Sequence, residues 1–192
     1  MSRGGPAGER QVMDRDTAIE MLVDHHKRPR HHGPLTDADV SMPGGNPGCG
    51  DLVTIHVKAD GDRIAAASFE GSGCTISQAA ASILLRQVNR EHMPFQEVLD
   101  YSYEEMLDRL GREVVGFRHR CATLALATLK AAVRVIEMDG KLRAAGYSAE
   151  QIGELRDAAA KQVAGSGLVV GSGAIEASQD ISARTPDPLS TG

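Results

Sequence analysis

The chain has 192 residues, 41% of them apolar, enough for one core of ordinary domain size with some sequence to spare. Aromatic residues make up only 3%, with no Trp, so that core has to be built from Ala, Val, Ile and Leu. A formal net charge of −5 leaves no basic footprint for nucleic acid, and no run approaches the roughly 20 apolar residues that cross a bilayer, which excludes both partner classes. The stretch from Met1 to Arg10 is polar and Gly-rich with no apolar signal-peptide region, so the expected location is cytoplasmic.

Residues 1–13 read as disordered. Thr17 with Glu20 three positions on forms a capping box ahead of Ile19, Leu22 and Val23, which predicts a first helix ending near Lys27. Pro29, Gly33 and Pro34 end it, and a loop rich in Pro, Gly and Asp leads through Pro43-Gly44-Gly45 to Cys49. Beyond Asp51, Val53, Ile55 and Val57 alternate with Thr54, His56 and Lys58, the period of two of a half-buried strand. Asp60-Gly61 is a hairpin turn, with a returning strand over 63–69. Ile76, Ala79, Ala80, Ile83, Leu84 and Val88 then recur at helical spacing. Pro94 interrupts, the segment 95–110 holds one or two short helices, and another helix starts near Cys121 with Leu124, Ala125, Thr128, Leu129, Ala132, Val133 and Ile136 on its face.

The region after about Gly140 has a different character. Ser148 and Gln151 make a second capping box for a helix whose stripe is Ile152, Leu155, Ala159 and Val163, closed by Gly165. From 165 to 192, half of the 28 residues are Gly, Ser, Pro or Thr, too few apolar groups to offset ordering entropy. The resulting division is 1–13 disordered, 14–140 an α+β domain, 141–164 a helical extension and 165–192 a flexible tail.

Cys49, Cys74 and Cys121 are the only cysteines. An odd number in a reducing compartment points away from a disulfide framework and towards metal binding or thiol chemistry. Cys49 and Cys74 follow Gly-containing turns and Cys121 follows Arg118-His119-Arg120, settings that favour an accessible thiolate over a buried thiol. Antiparallel pairing of the two strands brings Cys49 and Cys74 to one end, and Cys74 and Cys121 each stand at a helix N-terminus, so one shared site is expected. His25-His26 and His31-His32 flank Pro29, which breaks the helix, and they are read as solvated or helix-end histidines. His56 is read as structural, and His119 as at most a support for the ligands.

Asn46-Pro47-Gly48-Cys49-Gly50-Asp51, Phe69-Glu70-Gly71-Ser72-Gly73-Cys74-Thr75-Ile76-Ser77 and Arg118-His119-Arg120-Cys121-Ala122-Thr123-Leu124-Ala125 resemble, in that order, the three signature segments of the IscU/SufU/NifU-N family of iron–sulfur cluster assembly proteins. Asp24-His25-His26-Lys27-Arg28-Pro29-Arg30 is similar to the family's N-terminal motif, and the resemblance covers roughly residues 16–138. It implies a small three-stranded antiparallel sheet packed by helices, with a third strand to be sought near residues 38–42. It also implies Cys49, Asp51, Cys74 and Cys121 as ligands of a metal or cluster. Three thiolates and one carboxylate form a tetrahedral set suited to Zn²⁺, and the thiolates suit iron–sulfur chemistry; the single hard oxygen is the bond easiest to exchange. Arg118 and Arg120 can compensate the negative charge such a set leaves.

Two activities follow from the resemblance. In the SufU-like one, a zinc-dependent sulfurtransferase, Cys49 accepts sulfur from a SufS-like cysteine desulfurase and Arg118 organises the site. In the IscU-like one, the cysteines hold a transient [2Fe–2S] cluster or iron and pass it to a downstream scaffold or apo-protein acceptor. Arg118, three residues before Cys121, resembles the SufU pattern, and Glu113-Val114-Val115-Gly116-Phe117 stands where IscU proteins carry a Leu-Pro-Pro-Val-Lys chaperone-recognition stretch. The short interval from Cys74 to Cys121 departs from the insertion common in SufU, and the extension beyond 140 fits neither branch. A structural zinc-binding interaction module without sulfur transfer is the alternative of another class.

Overall fold

A computed structural model describes residues 13–165, so the expectations for residues 1–12 and for 166–192 lie outside the described residues. The elements in chain order are α1 (Arg15–Lys27), β1 (Val40–Asn46), β2 (Asp51–Asp60), β3 (Arg63–Ser72), α2 (Thr75–Glu91), α3 (Phe95–Asp100), α4 (Tyr103–Leu110), α5 (Arg112–Val115), α6 (His119–Ala144) and α7 (Ala149–Gly165).

The architecture is α+β, with one antiparallel sheet in the order β1-β2-β3. The third strand lies where weak pattern allowed it, but it is longer than residues 38–42 and takes in the stretch read as loop: Pro43, Gly44 and Gly45 pair with Thr54, Val53 and Leu52. Two physical reasons make such a strand possible. β1 is an edge strand, where Pro costs no interior ladder bond. Gly44 lies so close to α6 that a Cβ there would collide with the Thr128 hydroxyl. Between β2 and β3 the turn is at Gly61, whose φ is +59°. A register shift at Lys58/Ala59 interrupts the ladder near this turn, and beyond it Ile64 also reaches the core at 0% exposure.

One face of the sheet carries Val53, Ile55, Val57, Ala67 and Phe69 into the core, against α2 and α6. On α2 and α6 most of the stripe read in the sequence is buried, with Leu124 and Ile136 only partly so, and both helices are rich in buried Ala (79, 80, 122, 125, 132), which lets them lie close on the sheet. On α1, Leu22 is buried but Val23 is exposed. α1 packs on α2 rather than on the sheet. Its cap is Asp14, whose carboxylate accepts the amides of Asp16 and Thr17 at 3.1 and 3.0 Å, rather than a Thr17/Glu20 box. A carboxylate spanning two free N–H groups also complements the helix dipole, so it wins the start position.

The segment 95–110 forms two short helices as expected, and α5 is a further one-turn helix before Cys121. The Ser148/Gln151 capping box is present at 2.9 and 3.2 Å. Within α7, Ile152 is buried, whereas Leu155 is 47% exposed and does not join the core. Arg156 anchors this helix instead, its guanidinium meeting the buried Asp139 carboxylate of α6. Among the described residues no helix is long and apolar enough to cross a membrane.

Candidate metal centre

The four-residue turn between β1 and β2 presents Cys49. Asn46 and Asp51 are the last paired residues on either side of it. The Asn46 carbonyl accepts the amides of Cys49 at 3.1 Å and Gly50 at 2.9 Å, and its side-chain oxygen accepts Gly48 N–H at 3.3 Å. Gly50 takes φ +70°, the left-handed turn residue that separates Cys49 from Asp51. Asn46 has no role in the sequence reading, yet it is 5% exposed and its amide donates to Cys49 Sγ at 2.8 Å and to Cys121 Sγ at 3.7 Å. The only local signal for it was an Asn opening an Asn-Pro-Gly turn, a position where Asx side chains bond their own backbone.

Cys74 is the N-cap of α2, its sulfur accepting Ser77 N–H at 3.5 Å. Asp51, only 1% exposed, reaches across from β2: Oδ1 accepts the Cys74 amide at 2.8 Å and Oδ2 stands 3.8 Å from Cys74 Sγ. Gly73 makes this approach possible, since a Cβ there would lie 2.5 Å from Asp51 Oδ1 and 2.6 Å from Ser77 Oγ. Cys121, in the first turn of α6, completes the group with its sulfur 3.1 Å from Cys49 Sγ. Strand pairing and two helix starts thus bring Cys49, Asp51, Cys74 and Cys121 to one edge of the sheet.

The three thiols differ in exposure: Cys49 is exposed, Cys74 half-buried and Cys121 buried. This corrects the expectation that each is an accessible thiolate. At Cys121, burial first, then hydrogen bonding to Asp51 and Cys49, push the thiol far above its ordinary value despite the helix N-terminus. Burial also works to raise Asp51, but hydrogen bonds from Cys121, the Cys74 amide, Cys49 and Ser77 outweigh it and hold the carboxyl below the usual range. The two directions favour negative charge on the buried carboxylate over the buried thiol.

The donor chemistry fits a thiophilic metal ion. Ligand atoms of Cys49, Asp51 and Cys121 lie within 4.8 Å of one another. Two sulfurs on one tetrahedral zinc at ~2.3 Å bonds stand about 3.8 Å apart. The Cys49–Cys121 sulfur pair, at 3.1 Å, is somewhat closer than that, so a small outward movement of the exposed Cys49 would seat both sulfurs on one ion. Cys74 lies outside the tightest trio, and its sulfur also caps its own helix. Arg118 is the N-cap residue of α6 but makes no side-chain cap bond, and it, His119 and Arg120 are exposed. Among the described residues the Arg118 side chain makes no hydrogen bond or ion pair.

The family model of the NifU-like N terminal domain matches residues 18–141. The iron–sulfur cluster assembly scaffold protein IscU of Streptococcus pyogenes serotype M1 is 35% identical over 131 residues, covering 60% of this chain and 82% of that protein. The zinc-dependent sulfurtransferase SufU of Bacillus subtilis (strain 168) is 34% identical over 94 residues, 49% of this chain and 62% of that protein. The crystal structure of a nitrogen-fixing NifU-like protein (N-terminal) from Brucella abortus matches with a TM-score of 0.55 at 20% identity, covering 62% of this chain and 93% of that one, a likeness of fold. The matched span contains the hairpin, both helix starts and all three cysteines, and the chain belongs to the NifU-like N-terminal domain family of iron–sulfur cluster assembly proteins.

Proposed function

We propose that this protein is a zinc-dependent sulfur acceptor that takes sulfane sulfur from a cysteine desulfurase on Cys49 for iron–sulfur cluster assembly. The observation that carries this reading is the asymmetry of the site: Cys49 is exposed on a turn while Asp51 and Cys121 are buried. Only Cys49 offers its sulfur to a large partner. Cys49, Asp51, Cys74 and Cys121 would hold the metal, which lowers thiol pKa and keeps the sulfurs from stray oxidation.

The chain's own residues supply the rest. Asn46 donates to Cys49 Sγ at 2.8 Å and stabilises negative charge there as the thiolate forms. That thiolate attacks the outer sulfur of the donor persulfide; the new Cys49–sulfur bond forms as the donor's sulfur–sulfur bond breaks, and the donor cysteine leaves with the electron pair as thiolate. No external oxidant or reductant is needed. Arg118, exposed three residues before Cys121, is placed in this reading as the cation that organises the site once the partner has docked.

A second reading, a scaffold that builds a [2Fe–2S] cluster and hands it on, is supported by the named role of the S. pyogenes relative and by the convergence of three sulfurs. One experiment separates the two. The purified protein is assayed for zinc and iron and for its effect on alanine production by the cysteine desulfurase, as wild type and as Cys49→Ala. Sulfur transfer predicts about one zinc per chain and a stimulation that Cys49→Ala abolishes. Iron with cluster-like visible absorption after reconstitution, and no stimulation, identifies a scaffold. Zinc without stimulation identifies a structural zinc module.

A further inference from the structure

Residues 25–32 read His-His-Lys-Arg-Pro-Arg-His-His and hold four of the chain's seven histidines, yet nothing in the metal centre uses them. They form the end of α1 and the loop that follows it. Within that stretch and the adjoining face of α2, Lys27, Arg28, Arg30 and Arg86 stand against a single carboxylate, Asp24, which Arg30 engages at 2.6 Å. Arg86 comes from α2 and acts electrostatically on His25 from that side, as Arg30 does. Lys27, Arg28 and Arg86 are exposed and make no ion pair among the described residues, as are exposed His26, His31 and His32. This cluster of cations is local, on a chain whose net charge is −5.

The loop is held as a platform. Ser82, fully buried on α2, accepts the Arg30 amide at 2.8 Å and bonds His25 Nδ1 at 2.8 Å. Further on, the His31 carbonyl accepts Phe69 N–H at 2.9 Å and Gly33 N–H donates back to the Phe69 carbonyl at 2.8 Å. His32 lies edge-on to the Phe69 ring, centroids 5.1 Å apart. His31 sits at φ +57°, a left-handed conformation costly for a side chain with a Cβ, and these clamps on both sides hold it there. Cations displayed on a pinned backbone lose little conformational entropy when they meet a partner.

The loop is also close to the chemistry. Ser82 lies eight residues beyond Cys74 on α2, roughly 12 Å along the helix axis. A standard interface buries about 800 Å² per partner, a patch roughly 30 Å across, so one docked protein can cover both the loop and the Cys49 turn.

We propose that Lys27, Arg28, Arg30 and Arg86 form an electrostatic docking surface for an acidic face of the protein that delivers sulfur to Cys49. This rests on the sulfur-acceptor reading for the identity of the partner. A protein rather than a polyanion is favoured because the overall charge repels nucleic acid and the loop carries no Phe, Tyr or Trp on which bases could stack. A lipid surface is disfavoured because α1 exposes only Val23 among its large apolar side chains, too little for an interfacial helix.

The test is direct binding of the full chain to the host's purified cysteine desulfurase at low and high salt, with desulfurase stimulation measured in parallel. Wild type is compared with Lys27→Glu/Arg28→Glu, with Arg86→Glu, and with Lys141→Glu/Arg143→Glu as an exposed control on α6. Zinc content and near-ultraviolet circular dichroism establish that the variants keep their fold. Reversal at the loop is expected to weaken binding about tenfold at low salt and to abolish its salt dependence, to raise the half-maximal concentration without lowering the maximal rate, and to leave the control unchanged. Equal weakening by the control, affinity within about twofold of wild type for the loop variants, or no binding by wild type overturns the proposal. Loop-dependent binding to duplex DNA or phosphatidylglycerol vesicles, with desulfurase binding untouched, also overturns it. Loop-dependent binding without stimulation by wild type upholds the docking surface and removes the sulfur-acceptor reading instead.

Discussion

Asp51 and Cys74, 23 residues apart, are joined twice: the carboxylate accepts the Cys74 amide at 2.8 Å, and its other oxygen faces the Cys74 sulfur at 3.8 Å. One side chain therefore ties the start of β2 to the start of α2 and stands among the donors of the candidate centre. Its structural and chemical roles need separate variants.

Asp51→Ala leaves the partly buried Cys74 N–H without its acceptor and is expected to destabilise the protein by about 1–3 kcal/mol in chemical denaturation. Asp51→Asn keeps an oxygen for that amide and is expected to lose less. Both remove the exchangeable anionic oxygen and leave the thiolates as the anionic donors, so zinc release to a chelator should slow in each. Unchanged release would take Asp51 out of the ligand set.

Stability should fall in mild acid through His25. The ring is 5% exposed, and burial first, then the nearby Arg30 charge, hold its pKa below the ordinary 6.5. Because the unfolded chain takes up this proton first, stability is fully present above about 6.5 and is lost progressively as pH drops towards the lowered folded value. The melting temperature of wild type should therefore decline between pH 7.5 and 5.5, more steeply than that of His25→Gln. Parallel profiles would locate the acid sensitivity elsewhere.

Gly44 is the close-contact point of β1 on α6. A Cβ there meets the Thr128 hydroxyl, itself bonded to the Leu124 carbonyl at 2.9 Å. Gly44→Ala is expected to cost about 1–3 kcal/mol by overpacking. Adding Thr128→Ala should recover part of that loss, and a double variant whose losses simply add would contradict the contact.

Asp139 is 4% exposed and meets Arg156 of α7. Arg156→Ala leaves that carboxylate buried and unpaired and should destabilise by about 1–3 kcal/mol, discounted because the arginine is itself partly solvated. The same variant should raise amide exchange in α7 selectively. Protection unchanged in α7 would mean that Ile152 alone anchors the helix.

Much of this molecule follows from local pattern. The alternation at Val53, Ile55 and Val57 and the stripes on α2 and α6 repeat at the period of their own element, so each can be read within a dozen residues. The Asp60-Gly61 turn and the Ser148/Gln151 box are equally local. β1 is not: Pro43, Gly44 and Gly45 are poor strand formers, and they are strand because an edge position forgives Pro and α6 leaves room only for Gly. The capping of α1 by Asp14 is a competition between adjacent candidates that spacing alone does not rank.

The candidate site divides in the same way. Sequence alone named the candidate donors, Cys49, Asp51, Cys74 and Cys121, because thiols and the motifs around them are visible as residues in order. Only tertiary structure decided that Cys121 is buried and its thiol pushed up by that burial, that Cys49 alone is exposed, and that Asn46 bonds both sulfurs. Exposure, proton affinity and a contact across 75 residues depend on what the rest of the chain packs around a group, and no local period encodes them.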